Sequence, residues 1–587
     1  MNNFTFGPFG NSFGIGPFLF PASPGSDYIF SIQENAIYWG RDGNDTLFSF
    51  DPGANNLLQV DLLIGDLVDA TLFPEMGGTP RNWQNRFILG DWQQPYYVSG
   101  LPFIFGLNQF AVIADFSSSQ DTIQLHGTPE DYQLVTTPVG TALLWRQFPA
   151  LDLIAFLPLV SDLNLEDSYF QFQGDRPPEG PVLEKIQQLG TEGIDGFTSL
   201  TTDSFRNIYV TGGTQGNIWI VKYDSDGNQL WIQDFGTSSY DTGTDLVSDR
   251  EGNLYLVGVT NGDLGGANAG SFDVWLAKYD SDGNQLWIQQ FGNELVDLSY
   301  SIDVDGEGNV YLSGHSARAD SEGEQALLGQ SLYPWVAKYD SDGNQLWFQE
   351  FEISGLTEAY GVNVDSNDRV YATGWTLVDF GGENAGLYDI WLAQLDSDGN
   401  PVWIEQFGSE DYDFPWGIDT DSQGNIYTTG WTLGDLGGAN AGSYDPWVAK
   451  YDSEGNQQWI RQFGTSGDDG TGTFLKAIEV DSNDNIFLTG YTDSNLGGAN
   501  AGFYDPWVAK YDSDGNQLWI QQFGTPEFDY AGSISSDNAD NLYVTGWTEG
   551  SLGDLNAGAV DGWIAKLDAE SGILQDFSGT VDIPILG

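Results

Sequence analysis

Carboxylates on short turns are the chain's most repeated chemistry. D-S-D-G-N recurs with Asp pairs one residue apart: Asp224 and Asp226, Asp280 and Asp282, Asp340 and Asp342, Asp396 and Asp398, Asp512 and Asp514, with Asp452 and Glu454 as a variant. Two carboxylates so spaced can converge on one hard cation, with Asn and backbone carbonyls completing an oxygen shell. The motif lacks the third acidic position and the distant bidentate Glu of an EF-hand loop, so such a site would be weak and wet. Asp and Gly are equally the residues that build a tight hairpin turn, which is the plainer reading. The last unit, Asp568 to Gly572, breaks the pattern.

A second constellation is the Gly-rich stretch T-x-G-D-L-G-G-x-N-A-G-x-Y/F-D-x-W. It offers Asp263, Asn268 and Asp273, then Asn384 and Asp389, Asn440 and Asp445, and Asn500 and Asp505 as ligand-binding groups, with a shortened copy at Gly553 to Asp561. Asn and Asp there could accept hydrogen bonds from sugar hydroxyls or hold calcium; the alternative is a self-packed loop whose Asp residues cap backbone N–H groups. Among 21 Trp residues, those inside strands read as core, whereas Trp375, Trp431 and Trp547, just after a strand, are candidate sugar platforms. His315, beside Arg318, Asp320, Glu322 and Glu324, forms the one mixed-charge cluster of the repeats and reads as drift in an exposed loop.

Composition narrows the choice. With 18 Lys and Arg against 85 Asp and Glu the formal charge is −67, which repels a phosphate backbone and excludes nucleic acid as a partner. Such crowding calls for screening or bound cations. There is no Cys, and only His126 and His315 are present, so thiolate chemistry and His-rich metal sites are out and any enzyme would have to use carboxylates. The first 20 residues lack the basic start of a cleaved signal peptide, and no apolar run reaches the ~20 residues of a membrane span.

The elements that position these groups repeat. Trp219, Trp275, Trp335, Trp391, Trp447, Trp507 and Trp563 head seven copies of one pattern spaced by 56 or 60 residues, each preceded by a second Y-x-T-G element. Period-2 alternation and two turn signals per copy predict four antiparallel strands, hence an all-β, seven-bladed propeller over residues 183–577. The spare strand Leu183 to Gly190 and the C-terminal Ile573 to Phe577 compete to complete the last blade. Before the propeller come a leader (1–26), a small β domain (27–173) and a Pro/Gly linker (174–182); a tail (578–587) follows.

The unit W-V-A-K-Y-D-S-D-G-N-Q-L-W-I-Q-Q-F-G, preceded by D-S-x-G-N-I-Y-x-T-G-W-T, resembles the bacterial seven-bladed β-propeller repeat family called SBBP. The resemblance implies a secreted or surface-exposed module. Gly40 to Phe48 resembles one G-G-x-G-x-D-x-U-x nonapeptide of the hemolysin-type (RTX) calcium-binding proteins, with Arg41 at the second Gly; this implies Asp42, Asn44 and Asp45 as calcium ligands and export by an uncleaved signal.

The sequence therefore predicts a monomeric, exported, calcium-binding propeller that serves binding or adhesion without catalysis, with a glycan or an extracellular protein surface as partner. A lectin built on Trp375, Trp431 and Trp547 is the nearest alternative. A carboxylate-dependent glycoside hydrolase or lyase is the alternative of another class.

Overall fold

The computed structural model describes residues 186–319 except 192, 194 and 215, residues 330–577 except 354, 473–475 and 538, and residue 579; before residue 186 it describes the strands named below and residues 160, 163–165 and 169. The chain divides into two compact units at Glu179 and Gly180, inside the Pro/Gly stretch.

In the first unit, strands alternate between two parallel sheets. Leu19–Pro21, Ile37–Arg41, Gln59–Asp66, Gln109–Ile113 and Ala150–Pro158 form one, extended antiparallel by Gly140–Gln147 and Tyr132–Thr137. Tyr28–Ser31, Thr46–Ser49, Arg86–Ile88, Thr122–His126 and Phe170–Gln173 form the other. Asn2–Phe6 pairs antiparallel with Asn11–Ile15, so the segment expected as an unpatterned leader carries strands. Asp42, Asn44 and Asp45 lie outside the described residues.

The second unit is a seven-bladed propeller of four-stranded antiparallel sheets. Blade 2 is typical: inner strand Asp241–Ser248, second Leu254–Thr260, third Asp273–Tyr279, outer Gln285–Phe291. Blades are held face to face by apolar layers. One such layer joins Tyr209, Ile218 and Ile220 of blade 1 to Leu246, Leu254, Leu256, Trp275 and Ala277 of blade 2. Both faces of a blade are thus covered, which is why second and third strands read as near-continuous apolar runs.

Closure uses both candidate strands. Ile186–Leu189 pairs with Gly562 to Ala565 of the third strand of blade 7, and Leu574–Gln575 pairs with Lys566 and Leu567 of the same strand, so the two termini share the outer position end to end. Gln188, buried, fixes the register: its Nε2 donates to Gly550 O (3.0 Å) and Asp561 Oδ2 (2.9 Å), and its Oε1 accepts from the N–H groups of Leu552 and Gly553. Gln188→Ala leaves those backbone groups buried without partners. It is expected to lower propeller stability by about 2–4 kcal/mol in denaturant unfolding, whereas Leu230→Ala, half-exposed on the outer strand of blade 1, changes it little.

Candidate functional site

The D-S-D-G-N turns are blade-to-blade clamps. The first Asp of each accepts three N–H groups of its own turn: Asp224 Oδ1 from Asp226 N (3.0 Å) and Asn228 N (2.9 Å), and Oδ2 from Asn228 Nδ2 (2.9 Å). Asp280, Asp340, Asp396 and Asp512 do the same, and these hydrogen bonds hold their carboxyls below the usual range. Asp282, Asp342, Asp398 and Asp514 each donate a backbone N–H to the first Asp of the turn. Each turn docks on the preceding blade. The Ser carbonyl accepts from an outer-strand Trp (Trp231 to Ser281, Trp287 to Ser341, Trp347 to Ser397, Trp403 to Ser453, Trp459 to Ser513), and from Lys222, Lys278 and Lys450. Lys566 reaches Ser225 O at 2.9 Å and so ties blade 7 to blade 1.

The inner strands have one edge facing the propeller axis, and their free N–H groups are met by carboxylates of the neighbouring blade. Asp245 accepts from Ile302 N (3.0 Å), Asp303 from Val364 N (2.7 Å), Asp419 from Val480 N (2.7 Å) and Glu479 from Ser536 N (3.0 Å). Lys476 stands among these four. Burial opposes its charge, but the carboxylates outweigh burial and hold its pKa above the ordinary lysine value. Burial raises all four acids, Asp303 to about 6. The sequence reading missed this axial cluster. Its one signal was the 60-residue step from Trp447 to Trp507, whose extra residues come just before Lys476.

The Gly-rich loops lie on the opposite face from the clamps and are self-capped. Asp263 Oδ1 accepts from Asn268 N (2.8 Å), and Asn268 Oδ1 from Gly270 N (2.9 Å); Asn384, Asn440 and Asn500 repeat the pattern. Asp273, Asp389, Asp445 and Asp505 are buried at the start of the third strand, each accepting from an Ala N–H four residues earlier and from an outer-strand Gln.

Two expectations are corrected here. Trp375, Trp431 and Trp547 are 7%, 1% and 5% exposed and pack against Tyr388, Phe414 and Tyr530, so they are no sugar platforms: the strand they end is covered on both faces by neighbouring blades. His315 is not in an exposed loop. It occupies the strand position of Trp375, 2% exposed, with Nδ1 3.6 Å from Glu358 Oε2 and 3.3 Å from Tyr300 Oη. Burial lowers His315 to about 3 and raises Glu358 to about 7. Arg318 pairs with Glu350 at 2.7 Å; Asp320, Glu322 and Glu324 lie outside the described residues. Among the described residues no group of three or more His, Asp or Glu side chains is arranged to hold a metal. No helix among them is long and apolar enough to cross a membrane.

Six segments, 184–218, 230–265, 286–317, 402–437, 458–497 and 518–553, match the SBBP beta-propeller repeat. Of curated proteins, an uncharacterized WD repeat-containing protein of Acanthamoeba polyphaga mimivirus is 29% identical over 113 residues, 18% of this chain and 8% of that one. The regulatory protein FlaEY of Caulobacter vibrioides is 28% identical over 167 residues, 25% of this chain and 17% of that one. The aligned stretch thus spans less than a fifth of either relative. Similar solved structures include a polysaccharide lyase (an ulvanlyase; 12% identity, 66% of this chain and 98% of that chain, TM-score 0.39) and a protein from Lactobacillus plantarum (14%, 65% and 94%, TM-score 0.37). Likeness at that level carries nothing about chemistry.

Proposed function

We propose that this chain, built on SBBP beta-propeller repeats, is a rigid acidic binding module rather than a catalyst, exported to the cell surface or beyond, with calcium as its counter-ion and the Gly-rich-loop face as its contact surface. The observation that carries the reading is at the loop crests. Leu387 and Phe503, at equivalent positions, are each 45% exposed on loops already locked by their own hydrogen bonds, and Leu555 is 44% exposed on the shortened loop. Phe503 stacks on buried Phe528 with ring centroids 4.6 Å apart. Apolar side chains held out on pre-ordered loops cost little entropy on binding, and the surrounding charge of −67 selects a basic protein surface over an anionic polymer. Burial of Trp375, Trp431 and Trp547 weakens the sugar alternative.

The test is binding of the intact chain to immobilised extracellular proteins and to a glycan array. Expected is binding to protein, weakened at least ~10-fold by Phe503→Ala combined with Leu387→Ala at unchanged melting temperature. Binding confined to glycans would assign sugar instead, and polysaccharide turnover abolished by replacing one carboxylate would overturn the non-catalytic reading.

A further inference from the structure

Between neighbouring blades, buried Asp side chains come in pairs; the inner-strand member caps its own turn through Oδ2, as Asp297 does for Asn293, Asp413 for Ser409 and Asp469 for Thr465, and the third-strand member keeps an oxygen that no turn accounts for. The third strand of one blade opens on an Asp and the inner strand of the next on another: Asp273 with Asp297, Asp389 with Asp413, Asp445 with Asp469, Asp505 with Asp529 and, across the closure, Asp561 with Asp195. None is more than 4% exposed. In three of the pairs a Gly stands between the two. The position a Cβ on Gly408 would take is 2.4 Å from Asp389 Oδ1 and 3.0 Å from Asp413 Oδ2; on Gly292 it is 2.3 Å from Asp273 Oδ1 and 3.0 Å from Asp297 Oδ2; on Gly464, 2.2 Å from Asp445 Oδ1 and 3.2 Å from Asp469 Oδ2. The Oδ1 atoms of Asp273, Asp389, Asp445, Asp505 and Asp561 are buried and accept no hydrogen bond, although each partner oxygen Oδ2 is fully used.

Two departures within the chain show that the members act together. Between blades 3 and 4 the corresponding residues are Tyr333 and Thr357, so both carboxylates are replaced at once, and Thr357 bonds to Thr376 instead. Between blades 1 and 2 the pair is Asn217 with Asp241. If the pairs existed to share a proton, Asn217 would present its amide N–H₂ to Asp241. Instead Nδ2 donates to Asp234 (3.0 Å), and Oδ1 lies, like Asp241 Oδ2, 3.0 Å from the Cβ position of Gly236. The Asn217 amide thus turns its oxygen, not its N–H₂, toward Asp241, whose Oδ2 is met only by Thr237 N and Oγ1 of its own turn; an oxygen in that place suits a cation.

We propose that these oxygen cradles between blades, and not the D-S-D-G-N turns, are the chain's divalent-cation sites, each taking one calcium. This rests on the calcium clause of the proposed function. Each cradle supplies two side-chain oxygens, so backbone carbonyls and water complete the shell; that favours calcium, with its flexible geometry, over magnesium, and places affinity in the millimolar class of extracellular sites. The burial that raises Asp297, Asp413, Asp445, Asp469, Asp505, Asp529 and Asp561 fits carboxylates short of a positive partner.

Equilibrium dialysis of the intact chain against radiolabelled calcium tests the assignment. Asp389→Asn with Asp413→Asn is expected to remove one bound ion, and Asp226→Asn with Asp282→Asn none. Asn217→Asp, a change in the opposite direction that leaves the other cradles intact, is expected to tighten one site about tenfold. No calcium bound at millimolar concentration, or loss of ions only in the turn variant, overturns the proposal. The readout is ion stoichiometry, so loss of partner binding through Phe503 leaves it untouched.

Discussion

Gly430→Ala is expected to unfold or severely destabilise blade 5. A Cβ there would stand 1.7 Å from the carbonyl oxygen of Phe414 and 2.9 Å from Pro415 Cα, both backbone atoms of the inner strand. The cause is a bulge: the inner strand slips register between Pro415 and Gly417, which swings the Phe414 carbonyl over the second strand. The same approach occurs at Gly374 (1.8 Å from Glu358 O) and Gly546 (1.8 Å from Tyr530 O), so the T-G pair of the repeat is a packing requirement in blade after blade. Relief would demand moving a paired strand, so the cost is about 3–5 kcal/mol, at the severe end for one residue. Gly399→Ala is expected to cost about 2 kcal/mol, because φ is 85° and the new Cβ would meet the Trp347 ring at 2.7 Å. Gly438→Ala, whose nearest neighbour would be 3.6 Å away, is the control and is expected to be neutral. Denaturant midpoints of the three variants check the order.

The second large effect is on pH. Burial raises Asp303, Asp413 and Asp493 to about 6 and Asp529, Asp561 and Glu358 to about 7. A carboxyl whose folded pKa lies above its unfolded value binds more protons when folded, so its contribution is fully present below about pH 4 and is lost as pH rises to 6–7. At 1.36 kcal/mol per unit each group accounts for roughly 3–4 kcal/mol, an upper bound for neighbours that titrate together. His315, lowered to about 3, works the other way: its neutral buried form favours folding above pH 6.5, and that contribution is lost as pH falls toward 3. Six acids outweigh one histidine. In chelator, the chain is therefore expected to melt at a higher temperature at pH 5 than at pH 8, and scanning calorimetry at the two values checks it.

The blade count and strand pattern were legible because Trp and turn residues repeat with the period of the blades themselves. What each repeat does for its neighbour was not. D-S-D-G-N read correctly as a turn, but its docking partner is a Trp about one blade earlier, as with Trp347 and Ser397, 50 residues apart. Trp431 ends a strand with an alternating pattern, and alternation cannot say that the next blade covers the outward face too. Asp389 was visible as a loop-end ligand, but its pairing with Asp413 depends on how two blades stack. His315 read as loop because His in place of Trp hid a second strand that runs on to Ala319. Lys476 was overlooked because the longer Trp447-to-Trp507 step marks an insertion before it without saying that the insertion brings it among the inner-strand carboxylates.

Thermal unfolding of the intact chain at pH 8, in chelator and then across calcium into the millimolar range with magnesium alongside, tests most directly the claim that blade interfaces carry unneutralised carboxylate pairs awaiting a cation. A ligand at ~100 times its dissociation constant stabilises by about 2.7 kcal/mol per site, so several filled cradles should raise the midpoint by many degrees, more at pH 8 than at pH 5, and narrow the difference between the two. A midpoint that falls from pH 5 to pH 8 and does not respond to calcium would contradict it, and would mean that protons alone neutralise the pairs.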